Sequence, residues 1–141
     1  MDERSLIAIG TAVTFAKTVT QEDILKFAEV SGDFSPNHVD AEYMATTPYG
    51  RPIAHGVLTL GLMSTASTML LAQANLGRPY VSLRYDRVRF LGPVFAGDTV
   101  TITYTVREEQ RAAARTVADV VAVNQAGETV GVATHILKYL L

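Results

Sequence analysis

The spacing of apolar residues changes once along this chain, and the change separates a helical first half from a stranded second half. Behind Thr20-Gln21-Glu22-Asp23, an N-cap hydroxyl with an acid three residues on, Ile24, Leu25, Phe27, Ala28 and Val30 recur at helical intervals until Gly32. This predicts a short amphipathic helix. Asp40-Ala41-Glu42-Tyr43-Met44 reads as a polar turn, and Pro48, Gly50 and Pro52 keep the chain irregular until His55. From Gly56 to Asn75 no side chain is charged, over a length close to the roughly 20 residues that cross a bilayer. Thr59, Ser64, Thr65, Ser67, Thr68 and Gln73 dilute that run, and Gly61 and the alanines suit close packing, so it predicts a buried core helix. After Gly77-Arg78-Pro79 the period falls to two, with Val100, Ile102, Tyr104 and Val106 alternating with threonines 99, 101, 103 and 105. Residues 80–91, 114–124 and 129–140 are also strand-like, and turn residues between these runs predict an antiparallel meander. Apolar parity slips near Asp86-Arg87, which predicts a bulge. Ile7, Ile9 and residues 13–19 offer one more strand.

A long apolar helix followed by long strands implies an α+β fold in which a curved antiparallel sheet wraps that helix. The 141 residues are 48% hydrophobic with a positive mean hydropathy, which fits one domain over residues 1–141 burying roughly two thirds of its unfolded surface. The net charge is -2, with no long block of like charge. That excludes the electrostatic footprint of a nucleic-acid or anionic-membrane binder. The chain has no cysteine, so disulfides, zinc-thiolate sites and thiol nucleophiles are excluded together. Met1-Asp2-Glu3-Arg4-Ser5 mixes acid and base before only a few apolar residues, unlike a targeting segment, so a cytoplasmic protein is expected. An edge strand and an apolar surface left over from one subunit lead us to expect a homodimer or larger homo-oligomer.

The candidate chemistry lies in Ser31-Gly32-Asp33-Phe34-Ser35-Pro36-Asn37-His38 and in Ala54-His55-Gly56, where the long helix starts. The first places a carboxylate and an imidazole five residues apart on a loop broken by Pro36. The second offers backbone N–H groups of a helix N-terminus. A base, an acid and donors for a developing oxyanion suit proton transfer beside a carbonyl. Taken singly, Asp33 reads as a cap and His38 as a satisfied polar residue; taken together they read as a pair. His55 is expected to orient the turn into the helix. His135 sits on a strand with no acid or base near it in sequence and reads as structural. Arg84, Arg87 and Arg89 form the basic cluster, and arginine suits phosphate bidentately.

These segments resemble the MaoC-like hydratase family, the (R)-specific enoyl-CoA hydratases and dehydratases of the hot-dog fold, whose signature G-D-x-N-P-x-H precedes a helix opening A-H-G. Phe90-Leu91-Gly92-Pro93-Val94 and Gly97-Asp98-Thr99 also look like the family's turn between central strands. The resemblance implies Asp33 and His38 as catalytic acid and base, the Gly56 backbone N–H on the thioester oxygen, and Ser64 as a supporting hydroxyl near the carboxylate. It implies reversible addition of water to a trans-2-enoyl-CoA, giving a (3R)-3-hydroxyacyl-CoA, with an acyl-CoA thioester as partner, no cofactor and no metal. Ser35, Asn37, Ala54, His55, Arg84, Arg87 and Arg89 are the candidate substrate contacts. Ser35 stands where the family has asparagine, and its hydroxyl can make similar local bonds with less reach; Asn37 stands where an apolar residue is commoner. Two other functions compete. A hot-dog thioesterase would hydrolyse the acyl-CoA, which the order of the motif opposes. A non-catalytic partner subunit of a heteromeric dehydratase is opposed by the retention of both Asp33 and His38.

Overall fold

The computed structural model describes residues 6–140; Met1–Ser5, on which the expectation of no targeting segment rests, lie outside them. Strand β1 (Ala12–Thr18) leads into α1 (Gln21–Ser31). The Thr20 hydroxyl accepts the Asp23 N–H at 3.0 Å and the Asp23 carboxylate accepts the Thr20 N–H at 2.9 Å, a reciprocal capping box. Lys17 holds the same carboxylate at 3.1 Å. Two short helices follow, α2 (Pro36–Val39) and α3 (Ala41–Ala45). The expected polar turn at 40–44 is therefore helical, because Asp40 caps it by accepting the Tyr43 N–H at 3.0 Å. The long helix α4 (Gly56–Ala74) ends at Asn75 in the left-handed conformation, φ 45°.

Strands β2 (Tyr80–Phe90), β3 (Thr99–Gln110), β4 (Arg115–Val123) and β5 (Thr129–Tyr139) complete a five-stranded antiparallel sheet in the order β1-β3-β4-β5-β2. The expected meander holds for β3, β4 and β5 only. β2 precedes β3 in the chain but pairs with β5 at the far edge, so residues 91–98 cross the end of the sheet. The expected bulge is present between Asp86 and Arg89, with Arg87 at φ 53°, and a second register shift falls between Ser82 and Arg84.

The core joins Met63, Ala66 and Leu70 of α4 to Ile102, Tyr104, Val120, Ala122 and Leu137 of the sheet. Each large apolar side chain buried this way contributes about 1.5–3 kcal/mol. Alpha4 is long and apolar enough to span a bilayer, but here one of its faces lies on the sheet. It is not enclosed all round, as its composition leads one to expect. Thr59, Met63, Ala66, Ser67 and Leu70 are buried, whereas Val57 is 49% exposed and Gly61, Ser64 and Thr68 face outward. The helix backbone runs nearest β1, β3 and β4, and its Thr59 and Met63 side chains reach Gly131 of β5.

Candidate active site

Three chain segments meet at the N-terminus of α4. Gly32, at φ 80°, ends α1 in the left-handed region and turns the chain. Beyond it the loop is held by its own side chains. The Asp33 N–H donates to the Ser31 hydroxyl at 3.2 Å, and the Asp33 carboxylate accepts the Ser35 N–H at 3.2 Å, an Asx turn. The Ser35 hydroxyl donates to the side-chain oxygen of Asn37. Pro36 opens α2, where a missing N–H is harmless. Ser35 thus makes local loop bonds in the place of the family's asparagine.

Alpha2 carries His38 inward, to 8% exposure. Its Nδ1 lies 2.8 Å from the Ile53 carbonyl oxygen. A carbonyl only accepts, so Nδ1 carries the proton and Nε2 of the neutral ring keeps its lone pair. His55, 1% exposed, stacks on His38 with centroids 3.7 Å apart and planes at 26°. Its Nε2–H donates to the Asp33 carbonyl oxygen at 2.9 Å, and Phe27 packs on it at 4.7 Å. The backbone closes the junction: Ile53 N–H donates to the Asn37 carbonyl at 2.8 Å and Ala54 N–H to the Val94 carbonyl at 2.7 Å.

Asp33, His38 and His55 bring potential ligand atoms within 4.8 Å of one another, the grouping here that offers a metal its ligands. Fit to a metal is poor. His38 Nδ1 and His55 Nε2 are committed to carbonyls, and the in-plane lone pairs of two nearly parallel rings run side by side rather than converging on a point about 2.0–2.1 Å from each nitrogen. The arrangement suits proton transfer better.

Gly56 starts α4, so its N–H has no partner within the helix. A Cβ there would sit 2.5 Å from the Phe90 ring, so the position admits no side chain unless that ring moves. His38 and Gly56 share a cleft of about 320 Å³ with Asn37 and Ala54, and also with Thr59 and Phe90, which sequence reasoning did not single out. Ser35 and Asn37 line an adjoining cleft against Tyr43 and Met44. Asp33 is exposed and does not itself line this cleft, but its carboxylate comes within 4.8 Å of a ring nitrogen of His38, which does. Ser64 does not line this cleft; it lies near Tyr85 on β2. The arginines also lie elsewhere. Arg84 pairs with Asp86 at 2.9 Å, while Arg87 and Arg89 flank a depression with Asp119 and Thr134 on the sheet face turned away from α4.

Comparison with known proteins matches residues 5–129 to the MaoC like domain. The chain belongs to the MaoC-like family. Among curated relatives of this MaoC-like chain, an (R)-specific enoyl-CoA hydratase of Rhodospirillum rubrum is 39% identical over 97 residues, 69% of this chain and 64% of the relative. An (R)-specific enoyl-CoA hydratase of Aeromonas caviae is 36% identical over 95 residues, 67% of each protein. The match therefore spans under two thirds of the Rhodospirillum relative's length. Among solved structures, an R-hydratase from Pseudomonas aeruginosa in its unliganded form superposes with a TM-score of 0.81 at 31% identity, over 94% of this chain and 82% of that one. The hot-dog fold expected for a MaoC-like chain is thus the fold it has.

Proposed function

We propose that this chain adds water reversibly to a trans-2-enoyl-CoA, giving a (3R)-3-hydroxyacyl-CoA. The free Nε2 of His38 carries the reading: an imidazole fixed by a carbonyl at its other nitrogen, close to the Asp33 carboxylate and opening on the cleft where α4 presents the Gly56 amide. One of Asp33 and His38 takes a proton from water, whose oxygen bonds to C3. The C2=C3 electrons move toward the thioester, and its oxygen, now an enolate, accepts the Gly56 N–H. Such a donor is worth about 2.7–4 kcal/mol in the transition state. The other group gives a proton to C2, and in dehydration the two roles exchange. The (R)-specific hydratase names of the relatives support the same chemistry.

A homodimer belongs to this reading. Beta2 is an edge strand with Val81 45% and Leu83 42% exposed, and α4 leaves an apolar flank beside it; pairing with a second copy would cover both. Sedimentation at micromolar concentration should show a dimer or larger species, and a fully active monomer would overturn it. The activity is tested with purified protein and a short trans-2-enoyl-CoA, following loss of the conjugated-enoyl absorbance together with release of free thiol. Absorbance loss without thiol is the expected result. Thiol release would mark a thioesterase, and no change in either signal a non-catalytic subunit.

A further inference from the structure

The two acid-base groups and the oxyanion donor are all referred to one stretch of chain, residues 53–56, but by different means. His38 is held by the Ile53 carbonyl at 2.8 Å, and Gly56 supplies its own backbone N–H. Asp33 is held from that stretch by a side chain: the His55 Nε2–H donates to its carbonyl oxygen at 2.9 Å, across 22 positions of sequence. The other hydrogen bonds of Asp33, with the Ser31 hydroxyl and the Ser35 N–H, stay within two residues of it. They fix the shape of the loop but not its distance from the cleft. Asp33 is also exposed, so little packing constrains its side chain.

His55 is 1% exposed and does not line the cleft, so it acts on the reaction only through its neighbours. Its ring fills the space between Phe27, at 4.7 Å, and His38, at 3.7 Å. A phenyl ring would fill that space as well and would bury no polar atom. The imidazole instead buries its Nδ1 with no hydrogen-bond partner, an arrangement that costs free energy and that a purely space-filling residue would avoid. What the imidazole adds is the one N–H that reaches the Asp33 carbonyl. The same ring lies against His38 with planes at 26°, so a single rigid group touches both members of the pair. Rigidity matters here because the pair must address the water at C3 and the carbon at C2 from fixed positions, and a misplacement of about 1 Å can cost about 10²-fold in rate.

We propose that His55 is a positioning residue, which sets the separation of Asp33 and His38 through its hydrogen bond to the Asp33 backbone and its stack on the His38 ring. This rests on the enoyl-thioester reading above. His38 has a second anchor in the Ile53 carbonyl, whereas Asp33 has none outside its own loop, so loss of the His55 N–H falls on the carboxylate.

The test is His55→Phe in the full chain, assayed on a short trans-2-enoyl-CoA beside a thermal melt. The phenyl ring keeps the contacts with Phe27 and His38 and loses the donor. The variant should melt as the wild type does, with kcat lower by about 10–100-fold and KM little changed. In the Asp33→Asn background the same change should cost almost nothing more, because no carboxylate is left to place. A residue that only held the fold would lower both backgrounds alike. Should His55→Phe melt far below the wild type, His55→Asn, whose amide lacks the reach of Nε2, takes its place in the same cycle and must show the same coupling to Asp33. Wild-type kcat in the variant, or an equal loss with and without the Asp33 carboxylate, overturns the inference and leaves the hydratase reading standing. A wild type that hydrates no enoyl-CoA overturns both.

Discussion

Two imidazole sites lie along α4, and both hold buried histidine, but they leave different atoms free. At the helix start His38 uses one ring nitrogen on the Ile53 carbonyl and keeps the other open to the cleft, while His55 lies flat against it and grips the loop through the Asp33 carbonyl. Two turns on, His135 has both nitrogens engaged by hydroxyls and no exposed surface. Burial alone therefore does not mark a working histidine. What separates the two is an unspent lone pair at a cleft, beside a carboxylate. His135 instead spends both nitrogens on the Tyr104 and Ser82 hydroxyls, which ties strands together and leaves nothing for proton transfer.

The sharpest break of this comparison is catalytic. Asp33→Asn or His38→Ala should lower turnover by about 10²–10⁴ with little loss of folding, read as kcat on a short enoyl-CoA alongside a thermal melt. The double variant should add little beyond the worse single change. Near wild-type kcat in either well-folded single variant would remove the pair from the mechanism.

The next effect concerns stability at the second site. His135 has its pKa lowered by burial to about 4, from an ordinary value of 6.5. The unfolded chain takes up this proton as pH falls below 6.5, while the folded chain resists until about 4. Stability is thus intact at neutral pH and is lost as pH drops from 6.5 through 4, by about 3 kcal/mol in all. Urea unfolding of the wild type and His135→Gln at pH 7, 5 and 4 isolates this contribution from the carboxylates. The wild-type advantage should shrink as pH falls, and a constant difference would show that His135 does not titrate this way.

The smallest effect tests the boundary of the first site. Gly56→Ala must displace the Phe90 ring and should cost about 1–3 kcal/mol of stability, the usual range for overpacking. Chemical denaturation measures it, and a neutral substitution would mean the ring moves freely.

Much of this was legible before any coordinates. The cap at Thr20, the uncharged run after Gly56 and the threonine alternation of β3 each have a local physical cause, so the pattern alone locates them. The Asp33–His38 loop was legible for the same reason: Gly32 and Pro36 punctuate it, and its bonds are made within a few residues. Alternation, however, says which face a residue takes and not which strand lies beside it, so the place of β2 next to β5 was hidden. Alpha3 was missed because its cap, Asp40, also reads as a turn residue. The half-covered state of α4 was hidden because composition reports what a helix tolerates rather than what surrounds it. The stacking of His55 on His38 and the Ser82–His135–Tyr104 chain join residues from distant parts of the sequence, and no local signal announces them.

The position of β2 also sets the order in which the molecule can assemble. Tyr80 pairs with Tyr139 and Phe90 with Gly131, so β2 waits for the last strand to be synthesised, while β3, β4 and β5 can zip as successive hairpins. Closing that long loop is the slow kind of step, since chain entropy is lost before the contacts repay it. Phe90, which walls the cleft over Gly56, arrives with that strand. The cleft is therefore among the last parts of the molecule to form, and an incomplete chain on the ribosome has no finished place for a thioester to bind.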